Sequence, residues 1–287
     1  MQIISLNTLV KFLMKNTGVR ICLHDISGIL ENEDLFVEYK YKIHSSDFCM
    51  AAKTTQRGLE LCLTCKIKAN QKAAYNGEHF CGSCAYGLLE LAYPLTMDFK
   101  TKCIIYVGNV VKDVETSQKK LKCACRLTGV DCKKMNKLFD DCKIIKNEDI
   151  LLEIAQIIES YIILTLKNSE KDTRKGGVSW AVNNVQEYIN SEYSDNITLH
   201  NCAELYFVNE KYLGRMFEKN VGMTFHQYLN HVRCENARKM LKDSSKTITD
   251  IAFECGYSDV TYFNRVFKKI YGFAPGQARK KNDPKKR

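Results

Sequence analysis

Four cysteines in the first third of the chain stand in two pairs, Cys62-Leu-Thr-Cys65 and Cys81-Gly-Ser-Cys84, with fifteen residues between them. On paper that spacing closes a four-thiolate site for a zinc ion or an iron–sulfur cluster, with Cys49 and His79 as further candidate ligands. A thiol cluster of this kind also reads redox state, provided a metal or a lowered pKa supplies thiolate. The first pair, however, falls inside a helix-like stretch from Thr54 to Tyr75, where residues three apart share a face only roughly. Cysteine is common throughout, 14 in 287 residues, and Cys22 and Cys103 sit in apolar strand-like runs. Both readings therefore stand: a metal or redox centre, or small buried hydrophobes.

A second set of reactive groups lies in the last third. Tyr212-Leu-Gly-Arg215-Met-Phe217-Glu-Lys219-Asn-Val-Gly222 returns fifty residues later as Tyr262-Phe-Asn-Arg265-Val-Phe267-Lys-Lys269-Ile-Tyr-Gly272. At helical period, Leu213, Met216 and Phe217, and again Phe263, Val266 and Phe267, form an inward stripe. Lys211, Gly214 and Arg215 in the first copy, with Val260, Thr261, Asn264 and Arg265 in the second, are left outward. Arginine grips guanine O6 and N7 and asparagine pairs with adenine, so such a face suits the major groove of DNA. Either arginine alone could serve a surface ion pair; the repetition in register favours base reading.

The elements that must carry these groups follow from pattern and caps. Thr198 and Thr247 each open a short helix, Phe207 to Asn209 and Gly256-Tyr257-Ser258 break the two, and a second helix follows each break. This is the helix-turn-helix unit, written twice. Between the copies, Thr224 to Leu241 reads as one helix, long enough to hold two recognition helices about one DNA turn, ~34 Å, apart. Upstream, strand-like runs at Arg20 to His24, Leu88 to Tyr93 and Cys103 to Gly108 alternate with helical ones, an α+β domain with an antiparallel sheet. The polar, glycine-ended segment 168–177 reads as a linker, which places one domain at 1–167 and the second, all-α, at 178–287. The Ile150 to Leu166 helix is amphipathic and is expected either to pack on its own sheet or to form a homodimer and couple the two domains.

Composition bounds the function. With 45% hydrophobic residues the chain can bury two cores. It lacks a signal-peptide pattern and an apolar run long enough for a bilayer, so a cytoplasmic protein with reduced thiols and no membrane partner is expected. The net charge of +10 is shared between both parts, but from Tyr262 onward only Asp283 opposes a cluster of lysines and arginines. Such clusters attract polyanions, although Lys280 to Arg287 alone reads as a solvated tail. No phosphate loop, nucleophile elbow or paired-histidine metal motif is present, and an enzyme is not expected.

Two resemblances cover most of the chain. Tyr212-Leu-Gly-Arg-Met-Phe, Tyr228-Leu with Arg233 and Ala237, Ile251-Ala252, Cys255-Gly-Tyr-Ser-Asp, Tyr262-Phe-Asn-Arg-Val-Phe-Lys-Lys and Gly272-Phe-Ala-Pro275 resemble the AraC/XylS family signature. That resemblance implies a bacterial transcription regulator, usually an activator, partnered with double-stranded promoter DNA and RNA polymerase. Its base-facing positions are Lys211, Arg215, Val260, Thr261, Asn264 and Arg265. Phe48-Cys49, Cys84-Ala-Tyr-Gly-Leu-Leu-Glu90, Ala92-Tyr-Pro94 and Ile105-Tyr-Val-Gly108-Asn-Val resemble the PocR sensory domain. This implies a PAS-like fold binding small hydrocarbon derivatives such as diols, where the family often has Gln in place of Asn109.

An effector pocket should be concave and mostly apolar with a few polar groups, for which Cys49, Cys84, Tyr86, Glu90 and Tyr93 are the candidates. The leading expectation is a ligand-controlled activator. The alternative keeps the DNA reader and makes Cys62, Cys65, Cys81 and Cys84 a redox or metal sensor. DNA methyltransferases of the adaptive response also join a four-cysteine zinc domain to such a reader. The Pro-Cys-His acceptor motif they use is missing here.

Overall fold

The computed structural model describes residues 4–168, 179–243 and 246–280. The expected linker after Asn168 and the basic tail beyond Lys280 lie outside the described residues. The chain divides into two compact units: the first runs to Ala181 and includes Glu204–Phe207, and the second holds the rest from Val182.

The first unit is α+β. It opens with α1 (Leu6–Thr17), capped by the Ser5 side chain, which accepts from the Thr8 backbone N–H, and ended by Gly18 in the left-handed region. Strand β1 (Arg20–Asp25), helices α2 (Asp47–Ala52) and α3 (Gln56–Asn76), and strands β2 (Phe80–Ser83), β3 (Leu89–Met97) and β4 (Lys100–Val110) follow. Helices α4 (Val114–Thr128), α5 (Cys132–Asp140) and α6 (Asp149–Asn168) complete it. The strands form one antiparallel sheet in the order β1-β4-β3-β2.

Strand parity sorts the sheet into two packed faces. Cys103, Ile105 and Val107 of β4 join Leu91 and Leu95 of β3 under α1 and α6, where Leu151, Ile154, Ala155, Ile158 and Ile162 are buried. Ile104 and Tyr106 point the other way, toward Ala73 of α3. Helix α6 thus spends its widest apolar stripe on its own sheet. Ile150, Ile157 and Leu164 remain outside it, 37%, 47% and 60% exposed.

The second unit is helical, built from most of α7 (Ser179–Glu192) and of α8 (Leu199–Leu205), then α9 (Glu210–Val221), α10 (Phe225–Asp243), α11 (Ile248–Glu254), α12 (Val260–Tyr271) and α13 (Pro275–Lys280). The Thr198 hydroxyl accepts from Asn201 N, and Thr247 and Asp250 form a full capping box. Asn209 caps α9 and Asp259 caps α12; Gly222 and Gly272 close them in left-handed geometry. The central helix α10 has 19 residues, ~28 Å of rise. No helix among the described residues is long and apolar enough to cross a membrane.

Candidate functional site

On the two recognition helices the stripes fall where period places them. Leu213 and Phe217 of α9, and Phe263 and Phe267 of α12, are fully buried. Lys211, Arg215, Thr261, Asn264 and Arg265 are exposed. Two positions differ from expectation. Val260 is half-buried against the core that holds Phe263 and Phe267, because the first residue of α12 leans on the preceding turn. Gly214 faces α8 instead of solvent: a Cβ there would lie 3.1 Å from the Leu199 side chain, so a small residue serves helix packing.

The arginines repeat in geometry as well as in sequence. The Arg215 guanidinium lies 5.8 Å from the centre of the Tyr212 ring, and that of Arg265 lies 5.2 Å from the centre of the Tyr262 ring. Residues three apart on a helix are neighbours, so each tyrosine steadies the arginine on the outer face without consuming its fork of donors. Among the described residues no carboxylate pairs with either guanidinium.

Arg233, by contrast, is structural. Its Nε and Nη2 donate to the Tyr193 and Asp195 carbonyls at 2.7 and 2.8 Å, tying α10 to the end of α7.

The second site is a cavity of about 120 Å³ between α2, α3 and the sheet face that carries Tyr106. Its wall on α3 is made of small residues, Cys62, Cys65 and Ala69, at steps of three and four. Leucines there would fill the space. Phe48, Tyr86, Leu88 and Ala92 supply apolar walls. Of the expected effector residues, Cys49, Cys84, Tyr86 and Glu90 do line it.

Tyr93 does not. Three residues past Glu90 on β3, it points to the opposite face, and its hydroxyl donates to a Glu159 carboxylate oxygen of α6 at 2.5 Å.

Polar residues outside the expected pocket set also line the cavity, among them His44, Lys66 and Asn109. Asn109 sits at a bulge in the β3–β4 ladder with φ 56°, a left-handed position that asparagine tolerates better than most residues. The bulge turns its amide inward to donate to Ser46 Oγ at 2.8 Å and Cys49 Sγ at 3.2 Å. The Lys66 ammonium is 3.0 Å from His44 Nε2 and 3.7 Å from the centre of the Tyr106 ring. The same His44 nitrogen is 3.4 Å from Glu90 Oε1. Burial, opposed by Lys66, raises the Glu90 carboxyl to about 7, and burial together with Lys66 holds His44 well below the usual imidazole range.

The four paired cysteines are not brought together as a ligand set. Cys62, Cys65 and Cys84 reach the cavity wall, but Cys81 is on the other side of β2. There it shares a hydrogen bond with Glu148. Residues 81 and 84 are three apart on extended backbone, so they point to opposite faces. Among the described residues no group of three or more His, Cys, Asp or Glu side chains is placed to hold a metal ion. Burial raises Cys49, pushes Cys62 up to about 12 and Cys84 further, which keeps these sulfurs as thiols. With Cys81 turned to the other side of β2, Cys62, Cys65, Cys81 and Cys84 do not form one four-thiolate ligand set in this geometry, and burial disfavours the thiolate that thiol exchange would need at Cys62 and Cys84.

The chain's likeness to known proteins falls in two stretches. The family of sensory domains found in PocR matches residues 2–167, more than half of the chain, and a helix-turn-helix domain family matches residues 202–281. The uncharacterized HTH-type transcriptional regulator YijO of Escherichia coli K12 is 31% identical over 96 residues, 33% of this chain and 34% of its own length. The HTH-type transcriptional activator RhaS of Escherichia coli SE11 is 26% identical over 128 residues, 45% of this chain and 46% of its own. The chain therefore spans less than half the length of these curated relatives. The C-terminal domain of AraT, a response regulator from Geobacillus stearothermophilus, is 33% identical, covering 35% of this chain and 84% of that one, with a TM-score of 0.34. With a duplicated helix-turn-helix unit behind a matching sensory domain, the chain belongs to the AraC/XylS family of transcriptional regulators and carries a sensory domain of the PocR family.

Proposed function

We propose that the chain is a sequence-specific, DNA-binding transcription activator controlled by a small molecule that occupies the cavity beside α3. In this reading residues 1–167 form a PAS-like sensor, 168–177 a linker and 178–287 the reader, which acts on promoter DNA together with RNA polymerase. The observation that carries it is the pair of exposed arginines, each held by a tyrosine three residues earlier, at matching positions of two recognition helices. Lys211, Thr261 and Asn264 flank them on the same faces, and Val260 contributes only its exposed edge. The cavity supports ligand control because it is small, mostly apolar and has a few polar groups at one end.

The reader is tested by selecting sites from a random DNA pool with the full chain. Binding of the selected site is then compared with that of random DNA. Arg265→Ala should cost about 1–3 kcal/mol on the selected site and little on random DNA, since a lost base contact removes discrimination. Equal losses on both would reduce Arg265 to a phosphate contact and overturn its base-reading role.

A further inference from the structure

Lysine carries only donors, so at 3.0 Å from Lys66 Nζ the His44 Nε2 atom must be an acceptor without a proton. Glu90 Oε1 lies 3.4 Å from that same atom. Two acceptors facing one another repel, whereas a protonated carboxyl can turn its O–H toward the nitrogen. The geometry therefore favours Glu90 as the neutral acid when the cavity is empty. Among the described residues no carboxylate stands within ion-pairing distance of Lys66, and its remaining neighbours are a ring face and the Cys22 sulfur at 3.6 Å.

The other titratable groups that face Glu90 are neutral too. They are Cys22 from β1, Cys49 from α2, Cys62 from α3 and Tyr106 from β4, all raised by burial, and His44, lowered by it. Lys53 stands behind His44 and Cys49 and adds positive potential. The cavity thus combines apolar walls with one uncompensated ammonium.

We infer that this cavity recognises a small organic monocarboxylate, its carboxylate against the Lys66 ammonium and its alkyl body against Phe48, Tyr86 and Leu88. The inference rests on the reading of the cavity as the effector site and names the ligand class. Neutral diols, which the family resemblance suggests, would leave the ammonium without a counter-charge. The volume suits a ligand of about six non-hydrogen atoms, since a cavity of ~150 Å³ holds benzene. A carboxylate beside Lys66 keeps Glu90 protonated, because a second carboxylate so close would repel it. Where Glu90 is ionised, binding therefore takes up one proton.

The experiment is calorimetric titration of the full chain with acetate, propionate, butyrate and valerate, and separately with 1,2-propanediol. It is run at pH 6 and pH 8 in buffers of different ionisation enthalpy. One or more carboxylates should bind, about tenfold more weakly at pH 8 than at pH 6, with proton uptake at pH 8. Glu90→Gln should bind equally at pH 6 and pH 8, with no proton uptake at pH 8; Lys66→Met should lose carboxylate binding. Because Glu90→Gln reads out protonation by itself, the test survives a Lys66→Met variant that does not fold.

Binding of the diol with no response to any carboxylate would overturn the anion inference and leave the effector reading intact. No binding of either class would overturn both. A pH slope unchanged in Glu90→Gln would remove Glu90 from the recognition.

Discussion

Glu90 shows how one residue can be legible by type and not by role. Its place in the Cys84 to Glu90 series marks it as a pocket residue, and the structure puts it in the cavity. Its protonation depends on His44 and Lys66, which come from 46 residues upstream and from a neighbouring helix, and no local pattern announces them. Lys66 reads as one more charge on a lysine-rich helix; the small-residue run around it was the available signal. Tyr93 could have been excluded from sequence, since its odd spacing from Glu90 on a strand sends it to the other face.

Because the folded carboxyl is raised from 4.5 to about 7, the folded state holds more protons than the unfolded chain between those values. Stability contributed by the neutral form is therefore present below pH 4.5 and falls as pH rises through that window. Glu90→Gln should accordingly stabilise the protein at pH 8 by about 3 kcal/mol and change little at pH 4. Urea denaturation followed by circular dichroism at the two pH values reads this, and equal midpoint shifts at both would contradict it.

At the scale of elements, the reader was legible because its signals agree with one another. Caps at Thr198, Asn209, Thr247 and Asp259, closing glycines at Gly222 and Gly272, and apolar residues at helical period all point to the same helices. The two copies differ by one residue in the turn: Val208 N bonds to the Ala203 carbonyl and Tyr257 N to that of Ala252, while their caps are fifty residues apart. In the sensor, β2 and α4 escaped the reading. Phe80-Cys-Gly-Ser83 has no β-branched residue, and the buried stripe of α4 includes small or polar residues, Ser117, Ala124 and Thr128, that weaken its apolar period.

The β3–β4 hairpin also breaks a sequence rule. Its two central residues, Asp98 and Phe99, both take positive φ, 49° and 58°, a turn that favours Asn-Gly or Asp-Gly. Phe99 is fully exposed, so its ring contributes no packing that would offset the strain. Phe99→Gly should stabilise the sensor by about 1 kcal/mol, the cost a side chain carries in the left-handed region. A lower midpoint in urea denaturation would show that the turn is not strained as described.

For the whole molecule, the open question of assembly turns on α6. The sequence leaves α6 either to pack on its own sheet or to form a homodimer, and Ile154 lies in the sheet core at 2% exposure and is committed to the fold. A charge at Ile154 would unfold the sensor and report nothing on assembly. What remains outside is a narrower strip, Ile150, Ile157 and Leu164, each seven residues from the next and therefore on one line of the helix. Tyr161 widens it slightly while its hydroxyl donates to the Ile4 carbonyl at 2.6 Å.

Three side chains at a single heptad position, without a second buried row, can support only a small contact, and weak association is what small contacts give. A dimer formed through this strip should therefore be concentration-dependent. Sedimentation velocity across a hundredfold range should show monomer giving way to dimer. Ile157→Glu with Leu164→Glu should hold the protein monomeric without lowering its stability, since both residues are exposed.

DNA binding separates the consequences. One chain carries two recognition helices, so the monomeric double variant should still bind a selected single site and should lose only cooperative binding to paired sites. A wild-type chain that remains monomeric throughout, or a double variant that still dimerises, would place any self-association elsewhere.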